Sequence, residues 1–361
     1  MGELRLMKGN EALAEAAIRA GVDGYFGYPI TPQSEVIEYL MAEKPYERTG
    51  MVVLQAESEV ASINMLYGAG GTGKKVMTSS SSPGISLMQE GISYLAGAEI
   101  PVVLVNVVRG GPGLGDIQPA QSDYFQTTKG GGHGDYRLIA LAPSSVQEMS
   151  DFVPLAFELA FKYRNPAIIV SDGAIGQMME KVELFDQMSR LTDEEVREKY
   201  KWATNGKLKD GTRRVITSLD LDPHKLEEHN LKLQEKYKKI EENEVRFETI
   251  MCDDAEYIIV AYGLSARIAQ KSIKLLREKG YKVGILRPIT IWPFPKKQIM
   301  EFVNKGVKGF LSVEMSAGQM VEDVMLAVNG RVKVKHFGRY GGVIHSPEEV
   351  AAAFEQKIIG G

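Results

Sequence analysis

The chain has 361 residues, of which 44% are hydrophobic and 25% charged, the composition of a globular protein of about two domains. A formal net charge of −4 gives no basis for binding nucleic acid or an anionic membrane, and no apolar run approaches the roughly 18 residues of a membrane span. The sole cysteine, Cys252, excludes a disulfide framework and an all-cysteine metal or iron–sulfur site within this chain, and we predict no metal ligands. Without a recognisable signal peptide, a cytoplasmic protein is expected.

The first half of the chain alternates short β-rich runs with helical patterns. This alternation predicts a parallel sheet that is covered by helices on both faces. The second predicted helix opens at Thr31, with Pro32 in its first turn. The predicted strands cover residues 24–28, 52–54, 75–79, 102–108, 138–141 and 167–170, and the predicted helices cover residues 9–20, 31–42, 57–67, 83–96 and 145–162.

The composition changes between about residues 183 and 248, where two stretches are dense in Lys and Glu. We interpret this region as a charged linker or insertion whose charges form a solvated face. The strand–helix alternation then resumes, which predicts a second, smaller α/β domain. The predicted division is therefore a first domain over 1–185, a linker over 186–250 and a second domain over 251–361.

Residues 68–75 nearly match a phosphate-binding loop, with glycines at positions 68, 70 and 73. Such a loop needs a strand before its glycines and a helix after them, so that the helix N-terminus faces the phosphate. Here a helix precedes and a strand follows, and Lys75 replaces the Ser or Thr that would hold magnesium. A helix end and a turn is the better interpretation, and a nucleotide-binding switch remains the alternative.

Three strand ends carry candidate site residues, because ligands of open parallel sheets bind beyond the carboxyl ends of the strands. Thr31 could present its hydroxyl to an anion or simply cap a helix. The run from Ser79 to Ser82 offers hydroxyl and amide donors, with a plain cap as the alternative. Arg109 follows the strongest strand and precedes several glycines, which suits either a substrate carboxylate or a structural ion pair.

Glu59 lies near the start of the third predicted helix, on the same face as Ile63 and Leu66. A carboxylate aligned with an apolar stripe is costly to bury without a specific partner, so it lies at the edge of the stripe or takes part in chemistry. From the pattern alone, an acidic residue that is stabilised by the helix dipole is the simpler interpretation.

Taken in chain order, these segments resemble the thiamine-diphosphate-dependent 2-oxoacid:ferredoxin oxidoreductases, in particular the alpha-type subunit that carries the pyrimidine-binding domain. The resemblance rests on Tyr-Pro-Ile-Thr-Pro at 28–32, Gln-Ala-Glu-Ser-Glu at 55–59, the serine-rich turn before Pro-Gly, and Arg-Gly-Gly-Pro-Gly at 109–113. Residues 286–295 are similar to the family's transketolase-C-terminal-like domain. Residues 130–134 and 139–149 resemble the 3-methyl-2-oxobutanoate type within the family.

The resemblance implies an α/β fold of two parts, a thiamine-diphosphate-binding fold and a smaller transketolase-C-terminal-like α/β domain. It implies that Glu59 is the catalytic carboxylate, which hydrogen-bonds the aminopyrimidine ring of thiamine diphosphate. It also places Tyr28, Pro29 and Ser82 in the cofactor site.

For the substrate, the resemblance implies that Thr31 and Arg109 lie near it, with Arg109 as the clamp on its carboxylate. The implied reaction is the coenzyme A-dependent oxidative decarboxylation of a 2-oxoacid, with 3-methyl-2-oxobutanoate as the expected substrate. Its products are an acyl-CoA and carbon dioxide, and the electrons pass to ferredoxin. The cofactor supplies the electron sink for this chemistry.

The sequence departs from the family in lacking the magnesium–diphosphate signature, since Ser171-Asp172-Gly173 is followed by no Asn pair. The resemblance therefore implies a partner subunit that binds magnesium and shares the thiamine diphosphate. It also implies a ferredoxin-like subunit with iron–sulfur clusters, and a gamma-type subunit. The alternatives are the same family acting on 2-oxoglutarate or pyruvate, and a non-redox thiamine-diphosphate decarboxylase or transketolase-type half-enzyme.

Overall fold

The computed structural model of the protein describes residues 2–207 and 211–360, and its elements are numbered here in chain order. The strands are β1 (Glu3–Lys8), β2 (Gly24–Gly27), β3 (Val52–Gln55), β4 (Val76–Ser80), β5 (Val103–Val108), β6 (Ile139–Leu141), β7 (Ala167–Asp172), β8 (Met179–Leu184), β9 (Phe247–Ile250), β10 (Tyr257–Val260), β11 (Val283–Pro288), β12 (Thr290–Trp292), β13 (Gly309–Glu314) and β14 (Lys333–Gly338). The helices are α1 (Gly9–Arg19), α2 (Ser34–Glu43), α3 (Pro45–Thr49), α4 (Glu59–Gly71), α5 (Ser82–Leu87), α6 (Gln89–Gly97), α7 (Tyr124–Thr128), α8 (Val146–Tyr163), α9 (Gly173–Gln177), α10 (Asp193–Lys199), α11 (Pro223–Asn243), α12 (Gly263–Glu278), α13 (Lys296–Asn304), α14 (Met320–Val328) and α15 (Pro347–Phe354), followed by a π-helical turn at Glu355–Ile359.

A seven-stranded sheet in the order β12-β6-β7-β5-β4-β2-β3 forms the centre of the first part of the molecule. Its strands are parallel except β12, which pairs antiparallel with β6. Every residue of the central strand β5 is buried, as expected for an apolar strand of a parallel sheet that is covered on both faces. The predicted α/β fold with a parallel sheet is confirmed.

A second sheet in the order β14-β13-β10-β11-β9 forms the centre of the second part. Its strands are parallel except β9, which pairs antiparallel with β11. The two parts are joined through their sheets, because β12 comes from the later part of the chain and adds an edge strand to the first sheet. The boundaries at 185 and 250 remain a prediction.

Two predicted helices begin or continue differently from the sequence prediction. The helix expected from Thr31 begins at Ser34, and Thr31 and Pro32 form a turn joined by a cis peptide bond. The helix expected over 83–96 is two helices that are separated at Met88. The predicted start of α2 was wrong because Pro32 lies in the turn between β2 and α2 and not at the first position of the helix.

The charged region packs on the first part of the molecule through α11. Leu233, Tyr237 and Ile240 are buried, at the sparse apolar positions of this helix. Lys236, on the same helix, contacts the Glu99 carboxylate at 3.3 Å, so part of the charge is paired against the core. Among the described residues, no helix is both long enough and apolar enough to cross a membrane.

Candidate active site

The turn between β2 and α2 is held by hydrogen bonds to its backbone carbonyls. Gln33 Nε2 donates to the Tyr28 carbonyl at 3.1 Å. The Pro32 carbonyl accepts from Asn10 Nδ2 at 2.7 Å and from Gln177 Nε2 at 2.8 Å. With its carbonyls occupied in this way, the turn is fixed before any ligand arrives, as a binding site requires.

Gln33 is a residue of this site that the sequence analysis missed. Its side chain is fully buried, and its Oε1 accepts a hydrogen bond from Ser79 Oγ at 2.6 Å. Ser79 Oγ also lies 2.7 Å from the Tyr25 hydroxyl. Burial raises the pKa of Tyr25 to about 12, so this phenol remains neutral. The sequence carried no signal for Gln33, because the predicted helix included it among ordinary helical positions.

Arg109 follows β5 and joins two loops through its guanidinium. Nη1 donates to the Thr31 carbonyl at 2.9 Å, and Nη2 donates to the Leu114 carbonyl at 3.0 Å. The residue is only 7% exposed, and its buried Nε has no hydrogen-bond partner. Within residues 2–207 and 211–360 no carboxylate pairs with it, so the structural ion pair considered from the sequence is not observed. A nearly buried cation without a counter-ion favours binding of an anion.

Glu59 is the first residue of α4, whose N-cap is Ser58, with Ser58 Oγ accepting from the Ala61 amide at 3.2 Å. As the sequence pattern predicts, Glu59 shares a buried face with Ile63 and Leu66. It is 5% exposed, and its carboxylate has no hydrogen bond or ion pair in the described part of the chain. A buried carboxylate in this state lacks the specific partner that its burial calls for.

Gly84 in α5 creates the space beside the Glu59 carboxylate. A Cβ atom placed on Gly84 would lie 2.5 Å from Glu59 Oε1 and 2.0 Å from Ser80 Oγ. A side chain at this position would therefore displace the carboxylate, and only glycine permits this close approach. Ser80 Oγ is itself buried without a hydrogen-bond partner. The two polar groups thus face one small gap.

The helix α5 connects Glu59 with Arg109. Ser82, its first residue, accepts a hydrogen bond from the Arg109 amide at 3.1 Å and lies 3.3 Å from the Arg109 carbonyl, to which its hydroxyl can donate. Two residues later, Gly84 borders Glu59. Asp123 lies next to Ser82, and burial raises its pKa while hydrogen bonds from Ser82 and Asn106 oppose that rise. The helix α5 thus connects the backbone of Arg109, at Ser82, with the gap beside the Glu59 carboxylate, at Gly84.

The contacts place the predicted site residues as follows. Glu59 and Ser82 are joined through α5, and Thr31 is joined to Arg109 through its backbone carbonyl. Tyr28 and Pro29 are half-buried in the same turn as the exposed Thr31, and of these two only the Tyr28 carbonyl makes one of the contacts described above. The roles of all six residues remain predictions.

The second part of the molecule braces the loop that follows Arg109. A Cβ placed on Gly110 would lie 2.9 Å from the Gly342 amide nitrogen, and one on Gly342 would lie 2.6 Å from Gln118 Cβ. Gly341 and Gly342 both have positive φ, at 65° and 90°, and connect β14 to α15. Two backbones in contact at this point leave no room for side chains, so the position of the Arg109 loop depends on both parts of the chain.

Asp172, in the segment that partly matches the magnesium signature, accepts hydrogen bonds from the protein backbone on both carboxylate oxygens. Its Oδ1 accepts from the Ala174 and Ile175 amides at 3.1 Å each, and its Oδ2 accepts from the Leu264 amide at 3.0 Å. Among the described residues, no group of three or more His, Cys, Asp or Glu side chains is placed to hold a metal ion. The Asp172 carboxylate therefore has a structural role at the starts of two helices.

Comparisons with known proteins agree with the fold and the site. The family model described as pyruvate flavodoxin/ferredoxin oxidoreductase, thiamine diphosphate-binding, matches residues 15–248, and the one described as pyruvate:ferredoxin oxidoreductase core domain II matches residues 255–350. The ketoisovalerate oxidoreductase subunit VorB of Methanothermobacter thermautotrophicus is 51% identical over 94% of this chain and 93% of its own length. The 2-oxoglutarate synthase subunit KorA of Methanocaldococcus jannaschii is 36% identical over 97% of this chain and 99% of its own length.

Solved structures give the same assignment. The 2-oxoglutarate:ferredoxin oxidoreductase from Magnetococcus marinus, solved with 2-oxoglutarate, coenzyme A and succinyl-CoA bound, superposes with a TM-score of 0.83 at 26% identity. That match covers 99% of this chain and 66% of the other. A split-gene transketolase superposes with a TM-score of 0.61 at 12% identity over 98% of each chain, which shows the fold alone.

Fold and site together define a thiamine-diphosphate-binding α/β protein. The chain belongs to the pyruvate flavodoxin/ferredoxin oxidoreductase family and is a subunit of a 2-oxoacid:ferredoxin oxidoreductase. The site fits the aminopyrimidine part of the cofactor, because Glu59 is a buried acceptor without a partner and Gly84 leaves the space beside it open. The resemblance predicted from the sequence motifs is confirmed.

Proposed function

We propose that this chain is the pyrimidine-binding, alpha-type subunit of a coenzyme A-dependent 2-oxoacid:ferredoxin oxidoreductase that acts on 3-methyl-2-oxobutanoate. The observation that carries the proposal is the pair of mostly buried charged residues next to α5. The Glu59 carboxylate has no partner among the described residues and borders Gly84, and the Arg109 guanidinium has no counter-ion there, while the Arg109 backbone contacts Ser82. The chemistry needs one group of each charge, an acceptor for the cofactor ring and a cation for the substrate.

Glu59 is the residue proposed to act on the cofactor. Its side chain is mostly buried, and in such a setting a hydrogen bond to a ring nitrogen is stronger than in water. By accepting that bond it holds a proton at the ring nitrogen and so favours the tautomer that is competent to act as a base. The bound thiamine diphosphate supplies the electron sink, and Tyr28, Pro29 and Ser82 are proposed to line its ring.

Arg109 is the residue proposed to bind the substrate carboxylate. Its guanidinium is already oriented by the Thr31 and Leu114 carbonyls, so little side-chain freedom remains to be lost on binding. Nη1 and Nη2 each carry a second N–H group, which leaves donor capacity for an anion. Thr31, exposed in the same turn, is proposed to border the substrate.

Exposed apolar residues support a site completed by another subunit. Val52 and Leu54 are exposed on β3, the open edge of the first sheet. Val60, the residue after Glu59, and Leu87, the last residue of α5, are exposed as well. Exposed apolar side chains can mark a site of association, and we propose that the partner subunit that binds magnesium and the diphosphate covers these residues. Iron–sulfur clusters are proposed to lie on a ferredoxin-like subunit, with a gamma-type subunit completing the complex and ferredoxin as electron acceptor.

The substrate proposal follows from the higher identity to the ketoisovalerate subunit than to the 2-oxoglutarate subunit. The two substrates differ in charge, because 2-oxoglutarate carries a second carboxylate that needs a second cation in the pocket. A panel of 3-methyl-2-oxobutanoate, 2-oxoglutarate and pyruvate, assayed with the purified complex, separates these possibilities. A complex that prefers 2-oxoglutarate would refute the substrate proposal and leave the family assignment intact.

The divided site is tested by purifying this chain alone and together with its partner chains. The assay is 2-oxoacid-dependent viologen reduction in the presence of coenzyme A. We expect turnover from the complex and none from this chain alone. Robust turnover by the isolated chain would refute the divided site, and carbon dioxide release without electron transfer from the complex would favour a non-redox decarboxylase.

A further inference from the structure

Ser80 has a buried hydroxyl without a hydrogen-bond partner, at the end of β4. The neighbouring serines are both satisfied, since Ser79 donates to Gln33 at 2.6 Å and Ser81 donates to the Val107 carbonyl at 2.8 Å. A buried hydroxyl that bonds to nothing lowers stability relative to a methyl group. Such a group calls for an explanation, and because Thr78 on the same strand also lacks a partner, only the position of each hydroxyl can supply one.

The position of Ser80 provides that explanation. Successive side chains of a strand point to opposite faces, so Ser80 lies on the face opposite to Ser79 and Gln33. On that face, Ser80 Oγ and Glu59 Oε1 both border the gap left by the missing side chain of Gly84, at 2.0 and 2.5 Å from the Cβ position. A free donor and a free acceptor thus lie beside each other in a buried setting.

We propose that Ser80 is a positioning residue for Glu59. The hydroxyl has no partner in the chain by itself, and we infer that it donates to Oε1 once the cofactor ring engages the carboxylate, which directs the second oxygen towards the ring. A hydrogen bond to a charged oxygen is strong and directional, so it restrains a side chain that has no other partner in the described chain. This inference rests on the proposed function, because without a ring to face there is nothing for the carboxylate to be directed towards.

The same contact predicts how the kinetic constants change. Removal of the donor leaves Arg109 and its carbonyl partners in place, so kcat should fall while KM for the 2-oxoacid stays the same. A hydroxyl with a purely structural role would change stability and leave kcat unchanged.

The experiment compares Ser80→Ala with Thr78→Val in the purified complex. Thr78 is the matched control, because it lies on the same strand and the same face and also has a buried hydroxyl without a partner. Both variants are expected to be at least as stable as the wild type in urea. Should Ser80→Ala lose stability, Ser80→Cys occupies similar space with a weak donor and carries the same test.

We expect Ser80→Ala to lower kcat about tenfold to a hundredfold, the range that corresponds to a lost hydrogen bond to a charged group. Calorimetric titration with thiamine diphosphate should show weaker binding, and KM for the 2-oxoacid should not change. Thr78→Val should match the wild type in all three measurements. Equal behaviour of the two variants, with Glu59→Gln inactive, would overturn the role of Ser80 alone, whereas an active Glu59→Gln would overturn the proposed function.

Discussion

Substitution of Glu59 by Gln is expected to raise stability and abolish activity at the same time. Glu59 is 5% exposed and has no partner in the described residues, so most of its side chain is buried without a group that would stabilise the carboxylate. A buried polar group without a partner costs about 1–3 kcal/mol, and a carboxylate costs more than a neutral amide of the same shape. We therefore expect Glu59→Gln to raise the free energy of unfolding of the chain by about 1–2 kcal/mol.

The activity should change in the opposite direction. An amide cannot hold a proton at the ring nitrogen as a carboxylate does, and the loss of a positioned acid–base group lowers turnover about 10²–10⁴-fold. The assay is kcat for 2-oxoacid-dependent viologen reduction by the complex, with urea denaturation of the same chain. This opposite movement of stability and activity is the signature of a residue that is retained for function.

Glu57 provides the matched control for this experiment. It lies two residues earlier and is exposed, so Glu57→Gln should change stability by less than about 0.5 kcal/mol and leave kcat unchanged. The reasoning would be refuted if Glu59→Gln lost stability while retaining near-wild-type kcat. That result would mean that the carboxylate stabilises the fold and has no part in the reaction.

Three further predictions test other parts of the site. Arg109→Ala should lower kcat/KM by an amount that corresponds to about 2–5 kcal/mol of lost substrate binding. Arg109→Lys should recover only part of that loss, because an ammonium group cannot contact both carbonyls. An unchanged dependence of the rate on substrate concentration would exclude Arg109 as the carboxylate-binding residue. Gly342→Ala should destabilise the chain by about 1–3 kcal/mol and raise KM, because its Cβ would collide with Gln118. Gly341→Ala is the control: nothing lies within 4 Å of its Cβ, so it should affect stability through its positive φ alone. Equal KM values for the two variants would show that the contact between Gly342 and the Arg109 loop is dispensable. Burial lowers the pKa of His345 from 6.5 to about 4. Between these two pH values the unfolded chain binds a proton at His345 that the folded chain does not bind. About 3 kcal/mol of stability should therefore be lost as the pH falls from about 6.5 to 4. His345→Leu should flatten that part of the urea–pH profile, and an unchanged slope would contradict the assignment.

Under the proposed divided site, this chain alone is not expected to complete the reaction. The Arg109 guanidinium is already oriented by the Thr31 and Leu114 carbonyls, whereas the Glu59 carboxylate has no hydrogen-bond partner among the described residues. Both carboxylate oxygens of Asp172 accept hydrogen bonds from backbone amides of the same chain. The partner subunit proposed above would therefore be the one that holds the magnesium and the diphosphate.

Several features were predictable from the sequence because they depend on local pattern. The apolar run of β5 indicated a buried parallel strand, and the spacing of Glu59, Ile63 and Leu66 indicated that the carboxylate lies on a buried face. The order of helix and strand around residues 68–75 likewise argued against a phosphate-binding loop, and in the structure α4 does precede β4. Side-chain periodicity and element order are properties of neighbouring residues, so no tertiary information was needed.

Other features were decided only by residues distant in sequence that meet in the fold. The first turn of α2 was predicted at Thr31, but the tertiary contacts of Gln33 with Ser79 and of Pro32 with Asn10 hold that segment as a turn. The guanidinium of Arg109 is held by a carbonyl 78 residues away. The role proposed for Ser80 depends on the gap at Gly84, which its hydroxyl shares with the Glu59 carboxylate. The pattern alone therefore named the chemical groups and the faces on which they lie. Which of them remain without a partner, and so available for a ligand, depends on contacts that only the folded chain creates.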